Sequence, residues 1–344
     1  MTKKVTIKEV ASWAGVSTAT VSHHLNGTKN VSPDVARRID SAVQELNYIP
    51  NINARSLKRN ETHMIGLVIP DMIIYSSICY HIEALLYERG YNVIICNTNF
   101  DHIRENIYLH SLLERRVDGL IVASTGNNSR LLDSIQASGI PVVLIDRILP
   151  DLKANYVTEK HRECITKLTN HLLENNHRNI AFVKGPASSY VSDYRFGIFC
   201  DILKERGIPL LPQFYFSNCG SEELCRQAFD QIFAHLDTVT AVMLTNSNQI
   251  KYLIKAAHKN GISLPEDLSF LGFGLEDYKS LFHYPITCII QNHYELARNA
   301  ADRILELIAA QESNAVPELR TVLVDSEFFI GSSVRKLPDG TSGA

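Results

Sequence analysis

The chain lacks the long apolar run that would cross a membrane and the paired cysteines of a disulfide or zinc framework. No stretch of its 344 residues approaches the ~20 apolar residues that span a bilayer, and Met1–Thr6 lacks the apolar character of a secretory signal. The seven cysteines are odd in number, form no C-x-x-C pair and mostly stand in apolar runs, as buried thiols do. We therefore expect a cytoplasmic protein without a membrane partner or a metal site.

The sequence motifs that would indicate an enzyme are also missing. It contains no Gly-x-Gly-x-x-Gly, no Walker-type loop and no Gly-x-Ser-x-Gly elbow. Three histidines, His161, His171 and His177, stand in one region without a further ligand at zinc spacing, so a surface helix with scattered histidines is the simpler interpretation. We expect neither catalysis nor a cofactor.

Charge is distributed unevenly along the chain, whose net charge is -3. Residues 1–60 hold nine Lys/Arg and four Asp/Glu, a balance of about +5 that leaves about -8 elsewhere. A basic segment favours a polyanionic partner, although a solvated basic arm would have the same composition. The length suits a small module followed by two domains of about 100–150 residues.

The basic segment carries the pattern of a helix-turn-helix. Apolar positions within Ile7–Ala14 recur at helical spacing after Thr6, a candidate N-cap with a glutamate three residues later. Gly15-Val16-Ser17 predicts a tight turn, followed by a second helix over Thr18–Leu25. A third helix is predicted from the Ser-Pro-Asp start at residue 32 to Leu46.

The second of these helices is predicted to present a short polar face. Its apolar positions would face inward, which leaves four outward residues: Thr18, Ala19, Ser22 and His23. Such a face on the second helix of a tight pair fits a DNA major groove and can contact base edges and phosphates. A three-helix bundle that holds some other partner would show the same periodicity.

Beyond His63, short apolar runs alternate with amphipathic stretches. This alternation is typical of βαβ units in a parallel sheet. One cycle runs from Met64 to Ile145, and another restarts near Glu163 and reaches Phe273. We expect a small all-α helix-turn-helix headpiece and an α/β core of two doubly wound parallel-sheet lobes, with a ligand cleft between the lobes.

These motifs resemble a known family, the lactose/galactose repressor (LacI/GalR) family. The headpiece resemblance is carried by Thr6–Ala11, Ala14–Ser22 and Leu25–Gly27. The core resembles the family's periplasmic-binding-protein-like domain through Glu114–Gly119, Gly139–Arg147 and Leu264–Ser269. The resemblance implies a sequence-specific DNA-binding transcriptional repressor that binds a pseudo-palindromic operator as a homodimer. It also implies control by a small-molecule effector, a sugar or phosphorylated sugar, in the interlobe cleft.

The resemblance assigns roles within the headpiece. It implies that phosphates are anchored by Thr6, Ser17, Thr20, Ser22 and Asn26, and that bases are read by Thr18, Ala19 and His23. Family members usually carry arginine at the position of His23, where it can bind guanine through two hydrogen bonds. Histidine offers a shorter, single contact, which leaves the operator sequence open.

The stretch Asn51–Lys58 resembles the family's hinge helix, which folds when two copies pair over the minor groove. The DNA contacts implied here are Asn51, Ala54, Arg55 and Leu57, with Leu57 as a wedge between central base pairs. So short a helix is marginal in water. A solvated linker in which Leu57 packs on the core is the alternative.

Domain boundaries follow from the same resemblance. They are 1–50 for the helix-turn-helix domain, 51–62 for the hinge, 63–335 for the core and 336–344 for a tail. The first lobe is expected at about 63–160 and 291–320, and the second at about 161–290 and 321–335. Three strands would then connect the lobes.

The resemblance further implies an effector cleft lined by Tyr75, Asp146, Arg147, Arg195, Asn246 and Gln291. Arg195 can direct two hydrogen bonds to sugar hydroxyls or to an anionic group. Asp146 can accept from hydroxyls, and Asn246 can both donate and accept. Alternatively, Asp146 caps a turn and Arg195 pairs with a carboxylate on the surface.

Three departures from the family pattern bear on the effector. Gly274 and Ser247 stand where the family has acidic residues, and the segment Pro70–Ser77 is about two residues short. The two lost carboxylates leave Arg147 and Arg195 less compensated, which suggests an anionic effector as a hypothesis beside a neutral sugar. The cleft could also be vestigial. A solute-binding protein of the same core fold without a regulatory role is the alternative function, which the first sixty residues disfavour.

Overall fold

The structure, a computed structural model, describes residues 5–25, 29–48, 62–186, 189–274, 276–280, 285–313 and 317–339. The chain divides into two compact units, Met1–Thr62 and His63–Ala344. Of the helices in the described ranges, none has the length and apolar character needed to cross a bilayer.

The described residues of the first unit form three helices: α1 (Ile7–Ala14), α2 (Thr18–Leu25) and α3 (Pro33–Glu45). The Glu9 carboxylate accepts hydrogen bonds from the Thr6 N–H at 2.7 Å and the Thr6 hydroxyl at 2.9 Å, which fixes the start of α1. Gly15 ends α1 with φ +64°, a left-handed conformation that glycine adopts without steric cost. The Ser17 hydroxyl then accepts from the Thr20 N–H at 3.1 Å and caps α2. The predicted bounds of α1 and α2 are confirmed.

A small apolar core holds these three helices together. Val10 and Ala14 of α1, Val21 of α2, and Ile39 and Ala42 of α3 are all buried. Helices this short are marginal in isolation, so their stability comes from this shared burial.

The first lobe of the second unit is a six-stranded parallel sheet. Its strands, in spatial order, are β11 (Thr321–Val324), β5 (Asn155–Glu159), β4 (Val142–Ile145), β3 (Gly119–Val122), β1 (Met64–Ile69) and β2 (Asn92–Asn97). The helices of this lobe are α4 (Ser76–Tyr87), α5 (His102–Glu114), α6 (Ser129–Ala137) and α11 (His293–Glu312). Helices α4 and α11 pack on one face of the sheet, and α5 and α6 on the other.

The second lobe repeats this plan. Its strands, in spatial order, are β12 (Glu327–Phe329), β10 (Cys288–Ile290), β9 (Ser269–Gly274), β8 (Ala241–Leu244), β6 (Ile180–Val183) and β7 (Tyr215–Phe216). All pairings are parallel except that of β12 with β10. The helices are α7 (His161–Glu174), α8 (Tyr190–Glu205), α9 (Glu222–Phe233) and α10 (Ser247–Asn260), with short 3₁₀ turns at Pro212–Phe214 and Glu276–Lys279.

One expectation about the lobes needs correction. The expectation that residues 321–335 belong to the second lobe is wrong for Thr321–Val324, because β11 pairs with β5 and extends the first sheet at its edge. Strand β5 itself was not predicted from the sequence. The chain crosses between the sheets after β5, after β10 and after β11, so three connections link the lobes.

The interpretation of a surface helix with scattered histidines is also wrong for two of the three residues. His161 and His177 are buried, while His171 is partly exposed. His177 lies between α7 and β6, where its Nδ1 is 2.9 Å from the Thr240 hydroxyl and its Nε2 is 3.0 Å from the Arg335 carbonyl oxygen. Burial lowers the pKa of His177 to about 4.

This buried histidine predicts a loss of stability in mild acid. An unfolded chain titrates histidine near 6.5, so between pH 6.5 and 4 the unfolded state binds a proton that the folded state does not. The free energy of unfolding should therefore fall as pH falls through that window, by about 3 kcal/mol at pH 4 from this residue. Urea denaturation of wild type and His177→Gln across pH 7 to 4 measures the difference.

In the glutamine variant, the free energy of unfolding should depend less steeply on pH in that window, by the contribution of about one titrating group. His110→Gln, a change at an exposed histidine of α5, is the matched control and should keep the wild-type profile. An unchanged slope in His177→Gln would contradict the prediction.

Candidate functional site

The first candidate surface is the outer side of α2. Val21 faces the core, whereas Ser17, Thr18 and Ala19 are exposed. Ser22 and His23 are partly exposed. The residues predicted to read bases and several of those predicted to anchor phosphates therefore share one accessible surface.

Some of the predicted anchors also have local partners. The Thr20 hydroxyl lies 2.8 Å from the Ser17 hydroxyl, and the exposed Thr6 donates its hydroxyl to Glu9. A contact that the sequence did not suggest joins α2 to α3, where His24 Nε2 lies 2.7 Å from Asp40 Oδ1. It fixes the orientation of α2 on α3. Sixteen residues separate the pair, so no local pattern signals it.

Five of the residues predicted to contact DNA lie outside the described residues. They are Asn26 and the four hinge positions Asn51, Ala54, Arg55 and Leu57. Their roles stay predictions from the sequence.

The second candidate site is a cavity of about 90 Å³ between the two lobes of the core. All six residues predicted for the effector cleft line it: Tyr75, Asp146, Arg147, Arg195, Asn246 and Gln291. A single buried water needs about 10–15 Å³ by the same measure, so the volume is enough for several waters or a small organic group. It lies where strands of both sheets end, the usual ligand position in open α/β sheets.

Asp146 directly follows β4 and adopts φ +63°. Its Oδ2 accepts a hydrogen bond from the Tyr75 hydroxyl, and its Oδ1 accepts from Gln291 Nε2 at 3.3 Å. Burial and the adjacent Asp146 carboxylate raise the pKa of Tyr75 well above its ordinary value, so the phenol stays protonated and donates.

Arg195, on α8, lies in a buried ion pair with Glu159. Its Nη2 donates to Glu159 Oε1, and its Nη1 donates to the Thr245 carbonyl oxygen at 2.7 Å. The guanidinium carbon lies 3.6 Å from the centroid of the Phe273 ring. The hypothesis that Arg195 is left less compensated is therefore wrong, because Glu159 neutralises it from the end of the unpredicted strand β5.

Glu159 is the main residue that sequence reasoning missed. Its side chain is 0% exposed, and it also lies 2.9 Å from His161 Nδ1 and accepts from the Ser326 hydroxyl at 3.0 Å. Burial alone would raise the pKa of Glu159, but Arg195 and His161 outweigh burial and hold the pKa at about 2. These contacts join α8, the crossing after β5 and the crossing after β11.

Asn246 and Gly274 also line the cavity, and their surroundings limit what each position can do. Asn246 caps α10, with its side-chain oxygen accepting from the Gln249 N–H at 3.0 Å. A Cβ at Gly274 would lie 2.6 Å from the Cys288 sulfur and 2.9 Å from the Tyr278 ring. A carboxylate side chain therefore has no room at Gly274 with its neighbours in their present positions.

Arg147 is the remaining charged residue among those predicted to line the cavity. It is buried, and its guanidinium carbon lies 5.7 Å from the centroid of the Phe100 ring. Arg147, Arg195 and Asp146 thus line the cavity, two phenyl rings contribute to its wall, and Glu159 pairs with Arg195 without lining the cavity itself. Within the described part of the chain, no three His, Cys, Asp or Glu side chains are grouped to hold a metal ion.

Comparison with known proteins agrees with this architecture. The family model of periplasmic binding proteins and the sugar binding domain of the LacI family matches residues 62–329. The model of bacterial regulatory proteins of the lacI family matches residues 6–51. The HTH-type transcriptional repressor PurR of Vibrio parahaemolyticus is 30% identical over 335 residues, which cover 96% of this chain and 99% of that protein.

Solved structures show the same fold. A lac repressor dimer bound to operator and the anti-inducer ONPF superposes with a TM-score of 0.82 at 24% identity, covering 97% of this chain and 100% of that one. A complex of the transcriptional regulator CelR with cellobiose gives a TM-score of 0.68 at 21% identity, covering 96% of this chain and 100% of that one. Because a family model covers most of the sequence and relatives align along nearly its whole length, the chain belongs to the LacI family of bacterial regulatory proteins.

Proposed function

We propose that the chain is a cytoplasmic transcriptional repressor that binds a pseudo-palindromic operator as a homodimer and responds to a small molecule in the interlobe cavity. The observation that carries this proposal is the accessible face of α2, where Ser17, Thr18 and Ala19 are exposed beside His23. Such a face suits the major groove, and the basic balance of residues 1–60 suits the phosphates around it. Full-length relatives named as repressors support the direction of regulation.

Homodimerisation has a candidate surface on the first lobe. Tyr80 and Tyr87 lie seven residues apart on α4, hence on one side of the helix, and each is 69% exposed. Tyr294 at the start of α11 and Ile95 of β2 extend this set of exposed apolar side chains. We call Tyr80, Tyr87, Tyr294 and Ile95 the α4 surface. Exposed aromatic groups of this kind mark protein interfaces, and a two-fold dimer would place two α2 helices on successive major grooves.

A neutral sugar is the proposed effector class. The charges of Arg147 and Arg195 are matched in number by those of Asp146 and Glu159, which removes the reason for preferring an anion. The rings of Phe100 and Phe273 offer apolar faces, while Asp146 and Asn246 offer hydrogen-bonding groups. The structure of CelR with cellobiose supports this class. The proposal assigns binding and regulation to the cavity, and no catalysis.

Effector and operator would be coupled through the three crossings between the lobes. A coupling free energy of about 1–3 kcal/mol suffices for regulation and is reciprocal between the two ligands. A change of lobe angle on binding would alter the spacing of the two subunits' headpieces and therefore the affinity for DNA.

The proposal predicts that full-length protein selects a pseudo-palindrome from a random DNA library. Half-sites should lie about 10 base pairs apart, as a two-fold pair of helix-turn-helix units requires. Ala19→Glu should weaken binding of the selected DNA by about 100-fold or more, because it places a carboxylate and added bulk on the face that enters the groove. Anisotropy of labelled DNA measures both affinities.

Gln44→Glu makes the same change of charge on an exposed position of α3 and serves as the matched control. It should retain binding within about threefold, since it alters only the long-range field. Trp13 on α1, the single tryptophan, reports by fluorescence that both variant headpieces are folded. Equal losses in the two variants, or selection of no sequence, would contradict the assignment of α2.

A further inference from the structure

The cavity between the lobes already contains a hydroxyl group of the protein. The Tyr75 phenol donates to Asp146 Oδ2, while Gln291 occupies Oδ1 at 3.3 Å. Both oxygens of the carboxylate best suited to receive a ligand hydroxyl therefore accept from the chain itself. A ligand hydroxyl that donates to Oδ2 therefore competes with the Tyr75 hydroxyl for the same acceptor atom.

Local structure holds the phenol in this position. Asp71 accepts from the Ile74 N–H at 2.8 Å through its side chain and from the Tyr75 N–H at 3.1 Å through its carbonyl. Tyr75 then precedes α4, its carbonyl accepts from the Cys79 N–H at 2.8 Å, and its side chain is almost fully buried. The short segment Pro70–Ser77 thus delivers an aromatic ring into the cavity as a built part of the fold.

Other polar groups of the cavity are also engaged within the chain. Arg195 binds Glu159 and the Thr245 carbonyl, and the Asn246 side chain caps α10. A volume of about 90 Å³ remains beside Tyr75. A ligand that enters this space must therefore compete with contacts that the chain already makes.

We propose that Tyr75 is an internal ligand of this cavity: its phenol takes the place of an effector hydroxyl on Asp146 and sets the operator affinity of the protein in the absence of any small molecule. The inference rests on the function proposed above and makes Tyr75 the residue that determines which ligands enter. A neutral hydroxylated ligand must then compete with the phenol for the lone pairs of Asp146 Oδ2. The selectivity of the cavity is then a competition between two hydroxyl donors.

The two donors to Asp146 adjoin elements that the proposal assigns to dimerisation and to movement of the lobes. Tyr75 leads into α4, which carries Tyr80 and Tyr87 of the α4 surface and packs against α11 in one apolar cluster. Gln291, the second donor to Asp146, lies at the crossing after β10 and two residues before α11. Release of Asp146 would therefore free groups attached both to the proposed dimer surface and to a connection between the lobes.

Removal of one oxygen atom tests this inference without knowledge of the effector. Tyr75→Phe keeps the ring and deletes the hydroxyl, and the affinity of ligand-free protein for its selected operator should change by about tenfold or more, as expected for loss of a hydrogen bond to a charged group. Tyr156→Phe is the matched control. Its buried hydroxyl in the same lobe donates to the carbonyls of Leu149 at 2.7 Å and Leu152 at 2.8 Å, away from the cavity lining. Its operator affinity should stay within about twofold of wild type.

Chemical rescue adds a directional readout. Tyr75→Ala leaves a ring-sized space, and engineered apolar cavities bind small aromatic molecules. Phenol should return the operator affinity of Tyr75→Ala toward the wild-type value, because it restores a hydroxyl donor to Asp146. Toluene, which fills the same space without a hydroxyl, should not. Tyr75→Phe should respond to neither compound, since its ring still occupies the site.

The outcomes separate the inference from the proposed function. A change in Tyr75→Phe with rescue by phenol alone supports an internal ligand. Operator affinity of Tyr75→Phe within twofold of wild type, failure of phenol to rescue Tyr75→Ala, or equal rescue by phenol and toluene overturns it and leaves the ring as packing only. Wild-type protein that selects no DNA overturns the proposed function, and the inference with it.

Discussion

Replacing Glu159 by glutamine should lower the free energy of unfolding by about 3–5 kcal/mol, because Arg195 would keep a buried charge without its counterion. The Glu159 side chain is fully buried and that of Arg195 nearly so, so water cannot solvate the guanidinium once the carboxylate is lost. The variant keeps the size and one oxygen of the original side chain, so packing changes little. Urea denaturation followed by circular dichroism at pH 7 measures the loss.

The exposed pair of Lys255 with Glu222 provides the matched control. Their side chains are 72% and 50% exposed, and Glu222→Gln should cost no more than about 1 kcal/mol. The double variant Glu159→Gln, Arg195→Met should recover part of the loss, because it removes the uncompensated charge as well. A cost at Glu159 equal to that at Glu222 would contradict the prediction.

The same ion pair determines a pH dependence of known sign. The pKa of Glu159 lies at about 2, below the value of about 4.3 for glutamate in an unfolded chain. The stabilisation is therefore fully present above about pH 5 and is lost as pH falls toward 2. Glu159→Gln should remove this part of the acid sensitivity along with the stability.

Arginine substitutions on the α4 surface should strongly weaken DNA binding by preventing dimerisation. Tyr80→Arg combined with Tyr87→Arg places cations on both sides of a two-fold contact, where they repel one another and lack partners. We expect a monomer by analytical ultracentrifugation. Operator affinity should fall by about 100-fold or more, because the second headpiece no longer benefits from attachment to the first.

Ile107→Arg is the control for this change. Ile107 is 60% exposed on α5, which packs on the opposite face of the first sheet, so the substitution alters a comparable apolar side chain away from the proposed contact. It should leave a dimer with wild-type operator affinity. A dimer that survives both tyrosine substitutions would place the interface elsewhere on the chain.

The headpiece was predictable because its signals are local. The N-cap at Thr6, the left-handed glycine at residue 15 and the cap at Ser17 act over three or four residues, so the ends of α1 and α2 could be read directly. The alternation of strands and helices in the core was predictable for a related reason. Each βαβ unit carries its own hydrophobic periodicity, and the two lobes repeat it.

Strands β5 and β11 could not be predicted from these local patterns. β5 follows β4 without an intervening helix, and β11 is a four-residue edge strand, so neither carries a signal of βαβ alternation. Their pairing with one another extends the first sheet, and it leaves the second lobe to begin again only at β12. Which sheet a short strand joins depends on the edge available to it.

The sequence by itself determined the three-helix headpiece, the two α/β lobes and, through family resemblance, the six residues that line one cavity. Only the tertiary structure decided how those residues are paired. Glu159 meets Arg195 across 36 positions, and Tyr75 meets Asp146 across 71. Caps and periodicity depend on neighbours along the chain, whereas the partner of a buried charge depends on which strand ends and helix starts meet in space. The buried pair of Glu159 with Arg195 supplies charge compensation that no local pattern signalled, and Tyr75 already donates to Asp146.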